Sequence, residues 1–234
     1  MFKHLVTASV AAIACLPVAA QASTIAQWNF NDGNLIVDLG AGSATLVGGT
    51  TQSGFNSGGG SSDPVQPGSG WSISTFASQG TGDRQRGVSF TVSTLGLENV
   101  VFSYDMRHSN TAPGHEVVQY SIDGSTFVDI GSFASNNNGA TLPLWFNGRT
   151  VDLSAIPQAD NQASVIFRVV AAFAPETSAY AASNTGATYG TAGTWRFDMV
   201  TVSGNVAPVP EPETYAMLLA GLTLVAGAIR RRRA

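Results

Sequence analysis

Hydrophobic residues recur at every second position through most of this chain, which is the period of a strand with one buried face. Ala26, Trp28 and Phe30 form one face of a first strand, and the turn residues Asn31-Asp32-Gly33 end it. Val88, Phe90 and Val92 alternate next, then Val100, Phe102, Tyr104 and Met106, then Val118, Tyr120 and Ile122. Asp123-Gly124 is a turn dipeptide leading into Phe127 to Ile130. Val165, Phe167, Val169, Ala171 and Phe173 make another strand, and Trp195, Phe197 and Met199 line the last. No segment of this body has a convincing helical period; the best is a short turn at Leu153 to Ile156, stopped by Pro157. Residues 54–70 are almost all Gly, Ser, Asp, Pro and Asn. Such a stretch buries too little apolar surface to order itself, and it predicts a long loop.

The two ends break the pattern. Lys3 and His4 precede a short apolar run from Leu5 to Ala14, and Ala20-Gln21-Ala22 supplies the small residues that a signal peptidase reads. This predicts a signal peptide over residues 1–22, cut after Ala22. The rival reading is a lipoprotein cut at Cys15, where Ala12 stands in place of the preferred Leu. Cys15 is the only cysteine, so cleavage after Ala22 leaves a mature chain without thiol chemistry, disulfide or cysteine ligand. At the other end, a Pro-rich linker (205–214) holds Val209-Pro210-Glu211-Pro212, which should stay extended. An uncharged run from Tyr215 to Ile229 follows, reaching roughly 22 Å as a helix. A bilayer usually takes ~20 residues. Arg230, Arg231, Arg232 and Arg233 nonetheless favour a transmembrane helix with a basic cytoplasmic tail (230–234) over a terminal core helix. Their long stems can snorkel and lengthen the span.

Between these ends, residues 23–204 are long enough for one domain with a sizeable core. Many short alternating strands argue for an all-β fold, a two-sheet antiparallel β-sandwich of jelly-roll type. Only 11% of the chain is charged, with 26 Gly and 12 Phe, which suits an extracellular β-protein. Outside signal and tail the body holds six basic and thirteen acidic residues, a formal −7. That balance argues against nucleic acid or anionic headgroups as partners.

The order Val209-Pro210-Glu211-Pro212, apolar helix, then arginines resembles the PEP-CTERM sorting signal. The resemblance implies a tail recognised by an exosortase, cleavage near the motif, and an exported protein of a Gram-negative bacterium that makes exopolysaccharide. It further implies a precursor anchored in the inner membrane and a mature form at the cell surface or outside, associated with exopolysaccharide or biofilm. Within the body, Val100 to Ser109, Val117 to Ser125, Asp152-Leu153-Ser154, Val165 to Arg168 and Gly193 to Gly204 resemble jelly-roll modules similar to galactose-binding and carbohydrate-binding domains. Modules of that kind often hold a structural Ca²⁺ where first and last strands meet. The resemblance places it at Asn31, Asp32 and Asp198, all oxygen donors.

Candidates for catalysis are few. His108 and His115, with Glu116, flank a polar turn and read as loop decoration rather than a metal site. Glu98 and Glu116 have nothing linking them into the carboxylate pair that a glycoside hydrolase needs. No serine lies in Gly-x-Ser-x-Gly. Trp28 and Trp195 have strand spacing and read as core. Trp71 and Trp145 lie in loop-like contexts, as partly buried structural aromatics or as flat faces for sugar rings. The reading is a non-catalytic exported surface or matrix protein; the alternatives are a carbohydrate-binding module acting on exopolysaccharide and, less favoured, an extracellular glycoside hydrolase.

Overall fold

The computed structural model describes residues 22–137, 143–207 and 212–233. The expected signal peptide, including Ala20, lies outside them, as do Val209, Pro210 and Glu211. The described residues form twelve strands: β1 (Ala22–Trp28), β2 (Leu39–Gly40), β3 (Gly42–Val47), β4 (Thr51–Ser57), β5 (Ser69–Ser74), β6 (Gly87–Val92), β7 (Leu97–His108), β8 (His115–Ser121), β9 (Val128–Ala134), β10 (Trp145–Asp152), β11 (Val165–Ala171) and β12 (Trp195–Val206). One sheet runs β10-β7-β12-β1-β2, with β5 also on β12 and β4 on β5; the other runs β3-β6-β11-β8-β9. Every pairing is antiparallel. The chain is a two-sheet β-sandwich, as the alternation requires.

Period-two patterning explains the core. On β7, Val100, Phe102, Tyr104 and Met106 point inward and are buried, while Val101, Ser103 and Arg107 on the other face are partly open. Phe102 stacks on Phe167 of β11 at 4.8 Å and 2°, joining the two sheets. Phe90 of β6 meets Trp28 at 5.2 Å and Trp71 edge-on at 6.3 Å, so the aromatic residues form one continuous cluster.

Four expectations are corrected. The 54–70 stretch is not a free loop: it supplies the ends of a β4–β5 hairpin, and its connection is pinned by polar contacts described below. Met199 does not line the core. A bulge between Asp198 and Thr201 shifts the alternation so that Val200 and Val202 point inward, and Met199 takes φ 46°. Pro157 does not merely stop a turn; it opens a short 3₁₀ helix, Pro157–Ala159.

The fourth correction concerns where the tail helix begins. Helix α1 (Pro212–Arg233) starts at a proline of the expected extended segment, because a first-turn position needs no N–H, and it carries the arginines in its last turn. Arg230 and Arg231 are exposed, as are Met217 to Ile229. Among the described residues no helix is long and apolar enough to cross a membrane. The apolar part, Tyr215–Ile229, is shorter than a hydrocarbon core about 30 Å thick.

Candidate functional site

The β4–β5 connection, residues 58–68, folds over the outer face of the larger sheet and brings distant polar residues together. Asp105 of β7 and Asp198 of β12 are register partners, and both point outward from the sheet beneath this connection. The Ser62 N–H donates to Asp105 Oδ2 at 2.5 Å, and the Gly148 N–H donates to Oδ1 at 2.7 Å. Ser61 Oγ–H donates to Asp198 Oδ2 at 2.7 Å, with the Met199 N–H on Oδ1 at 2.8 Å. Asp63 accepts from Asn31 Nδ2 and from the Val65 N–H, both at 2.7 Å, and Asn31 Oδ1 accepts from the Ser69 N–H at 2.8 Å. Asp63, Asp105 and Asp198 are all buried. Burial pushes the Asp198 carboxyl up to about 7; its bonds from Ser61 and Met199 oppose the rise, and Asp63 and Asp105 nearby add to it. Close backbone approach fixes the loop: a Cβ on Gly68 (φ +53°) would lie 2.6 Å from both Asn31 Oδ1 and Val65 O.

Trp145, at the start of β10, borders the same loop. Its indole N–H donates to Gly59 O at 2.8 Å, and its ring edge packs where a Cβ on Gly60 would stand. Asn147 Nδ2 donates to Gly60 O at 3.0 Å. The ring is half-buried and fixed.

Of the residues singled out in the sequence, Asn31, Asp198 and Trp145 therefore converge on one loop, and Asp32 and Trp71 do not. Asp32 is exposed in the turn closed by Gly33 N–H on Phe30 O. Trp71 sits inside β5 with 0% exposure, 5.8 Å from Phe30, and offers no face to a ligand. Sequence reasoning missed Asp63 and Asp105. Asp63 fell in the stretch read as unordered, although Asp105, at an outward position between Tyr104 and Met106, was visible in the alternation.

The donor set around Asp198 suits Ca²⁺ in kind, being oxygen only and without a cationic side chain bonded to it. As arranged, each carboxylate oxygen already accepts a bond from the protein. Among the described residues no three Asp, Glu, His or Cys converge to hold a metal ion. Asn31, Asp63 and Asp198 are the residues that would hold Ca²⁺, exchanging some of these bonds for metal bonds.

A second polar cluster lies inside the sandwich, where the sequence suggested loop decoration. His108 is fully buried; its Nδ1–H donates to Pro113 O at 2.8 Å, and Nε2 accepts from Ser135 Oγ–H at 2.8 Å. Buried Glu116 forms an ion pair with Arg149, accepts from Tyr104 O–H at 3.0 Å, and places Oε2 3.2 Å from His108 Nε2. Arg149 also donates to Ser135 Oγ at 2.5 Å and lies against the Phe146 ring at 4.9 Å. Burial first, and the Arg149 charge second, hold the His108 imidazole well below its usual pKa, against the opposing Pro113 bond.

Residues 208–233 match the PEP-CTERM protein-sorting motif. The chain carries a PEP-CTERM tail. This motif marks an exported protein, and it coincides with α1 and the residues just before it. No curated protein matches the chain in sequence. Solved structures similar to it include the CBM22-1–CBM22-2 tandem domain of Paenibacillus barcinonensis Xyn10C, at 11% identity and TM-score 0.44, covering 84% of this chain and 49% of that one. The chain thus spans about half the length of the tandem protein. The mannan-recognising carbohydrate-binding module TmCBM27 matches at 10% identity and TM-score 0.44, covering 80% of this chain and 99% of its own. A cleaved adhesin domain of Lys-gingipain from Porphyromonas gingivalis matches at 14% and 0.43, with 80% and 99% covered.

Proposed function

We propose that this is a non-catalytic exported surface or matrix protein whose β-sandwich is delivered by the PEP-CTERM tail and processed by an exosortase. The observation that carries the proposal is the sorting motif at 208–233, which begins just after the last strand ends at Val206. A signal peptidase cut after Ala22 would leave the domain starting within β1. The precursor is held at the inner membrane through α1, whose short apolar stretch gains length from snorkelling Arg230–Arg233 and from packing against a partner helix along Gly221 and Gly227. The mature form resides at the cell surface or outside, in an exopolysaccharide or biofilm matrix of a Gram-negative host. The state of Glu116 supports a non-catalytic body, because its carboxylate is consumed by Arg149 and Tyr104 inside the core. Fractionation tests the proposal: deleting the host's exosortase should accumulate a longer precursor in the inner membrane. Unchanged size and location in that strain would contradict it.

A second reading, a module that binds exopolysaccharide, is favoured by Trp145, an aromatic ring fixed at the outer face beside a polar loop. We extend the proposal to a structural Ca²⁺ at Asn31, Asp63 and Asp198, where it would neutralise buried carboxylates and tie the 58–68 loop to β12. Added Ca²⁺ should then raise the melting temperature by several degrees and chelator should reverse it; identical melts would remove the ion.

A further inference from the structure

One row of side chains on the outer face of the larger sheet brings two arginines side by side. In register across adjacent strands stand Trp145 of β10, Arg107 of β7, Arg196 of β12 and Ser72 of β5. Neighbouring strands lie about 4.8 Å apart, so the row from Trp145 to Arg196 spans ~10 Å. Like charges directly opposite on a sheet repel, and a body with a formal −7 has few arginines to place. Even so, among the described residues neither Arg107 nor Arg196 has a carboxylate within ion-pair distance, whereas Arg84 pairs with Asp129 and Arg149 with Glu116.

Both guanidinium groups are positioned by neutral acceptors. Arg107 donates from Nε to Pro143 O at 3.2 Å. Arg196 donates from Nε to Ser72 Oγ at 3.0 Å and from Nη1 to Ser57 O at 2.6 Å. These bonds leave N–H groups of both forks for another acceptor. The next row along the same strands holds Asp198 and Asp105, but their oxygens are taken by Ser61, Ser62, Gly148 and Met199. Burial, and Arg107 beside it, lower the Arg196 pKa to about 10.

We propose that Trp145, Arg107 and Arg196 form a binding site for a carboxylated sugar residue within a largely neutral polysaccharide, the ring lying against Trp145 and the carboxylate between the two arginines. This rests on the reading of the body as a polysaccharide-binding module and names its ligand chemistry. A planar carboxylate matches the guanidinium fork, and two forks on one carboxylate relieve the repulsion between them. The negative body disfavours densely charged polyanions such as nucleic acid, so the fitting ligand carries spaced charges.

The test uses the full chain in detergent micelles and affinity electrophoresis in xanthan, a polymer bearing uronate and pyruvate carboxylates, beside the same polymer with its carboxyl groups reduced. The expected result is retardation in native xanthan, at least tenfold weaker in the reduced polymer and in high salt. Arg107→Gln should weaken retention at least tenfold with an unchanged melt, and Arg107→Lys, which keeps charge but not the fork, should fall between. Equal retention in both polymers would leave the sugar-binding reading standing and overturn the carboxylate site. Carboxyl-dependent retention that survives Arg107→Gln and Arg196→Gln would place the site elsewhere. No retention in either polymer would overturn both.

Discussion

Glu116 and Arg149 show how a few residues set the chemistry of this interior. A carboxylate and a guanidinium deep between two sheets are tolerable because they pair with each other, Tyr104 donates to the carboxylate, and Ser135 accepts from the guanidinium. Removing one partner strands the other charge. Glu116→Ala should therefore destabilise the domain by about 3–5 kcal/mol, read as a shift in denaturant midpoint at constant slope. His108 adds a pH dependence with a definite sign. Its folded pKa is depressed, so below about 6.5 the unfolded chain takes up a proton that the folded chain refuses. Stability is intact above that pH and falls as pH drops beneath it, by at most ~1.4 kcal/mol per unit for this group. His115, also lowered, acts in the same direction. Denaturation at pH 7 and pH 5 should show the loss, and His108→Gln should flatten it; an equal slope in the variant would assign the dependence elsewhere. The sequence brings His108 and Glu116 to notice but shows neither their burial nor their partners. His108 ends a twelve-residue strand, and its burial depends on Ser135 and Arg149, which local pattern does not connect to it.

At the scale of elements, the alternation at Val100 to Met106 and at Val165 to Val169 is legible directly, since one buried face imposes it. What failed were places where side chains far apart in sequence do the ordering. The 58–68 connection has almost no apolar content, yet Asn31, Asp105 and Asp198 hold it from three strands or turns. Trp71 looks like a loop residue in sequence because its strand is short and flanked by Gly and Ser, leaving only Trp71 and Ile73 to alternate. The bulge after Asp198, by contrast, shifts a strand whose alternation holds up to Phe197. The loop gives an element-scale prediction. Gly68→Ala would force a Cβ against Val65 O, at a cost of ~1–3 kcal/mol, and should speed proteolytic nicking between residues 58 and 68. Unchanged protection would mean that the loop is held independently of its turn at Gly68.

For the whole molecule, the sandwich and its tail divide the labour. The core cluster draws on both sheets, from Ala26 to Val202, so residues 22–207 should fold without either end and give a β-dominated circular dichroism spectrum. A helical spectrum would contradict the sandwich. The central claim, that the tail is a sorting signal consumed during export, is tested most directly by the intact mass of the protein purified from the surface or secreted fraction of its natural host. The account predicts a mature chain that begins at Ser23, ends close to Val209–Pro212 and lacks Arg230–Arg233, with the full tail retained when the exosortase is deleted. A mass that still includes Ala234 in the normal strain would contradict processing and leave α1 as a permanent part of the mature protein.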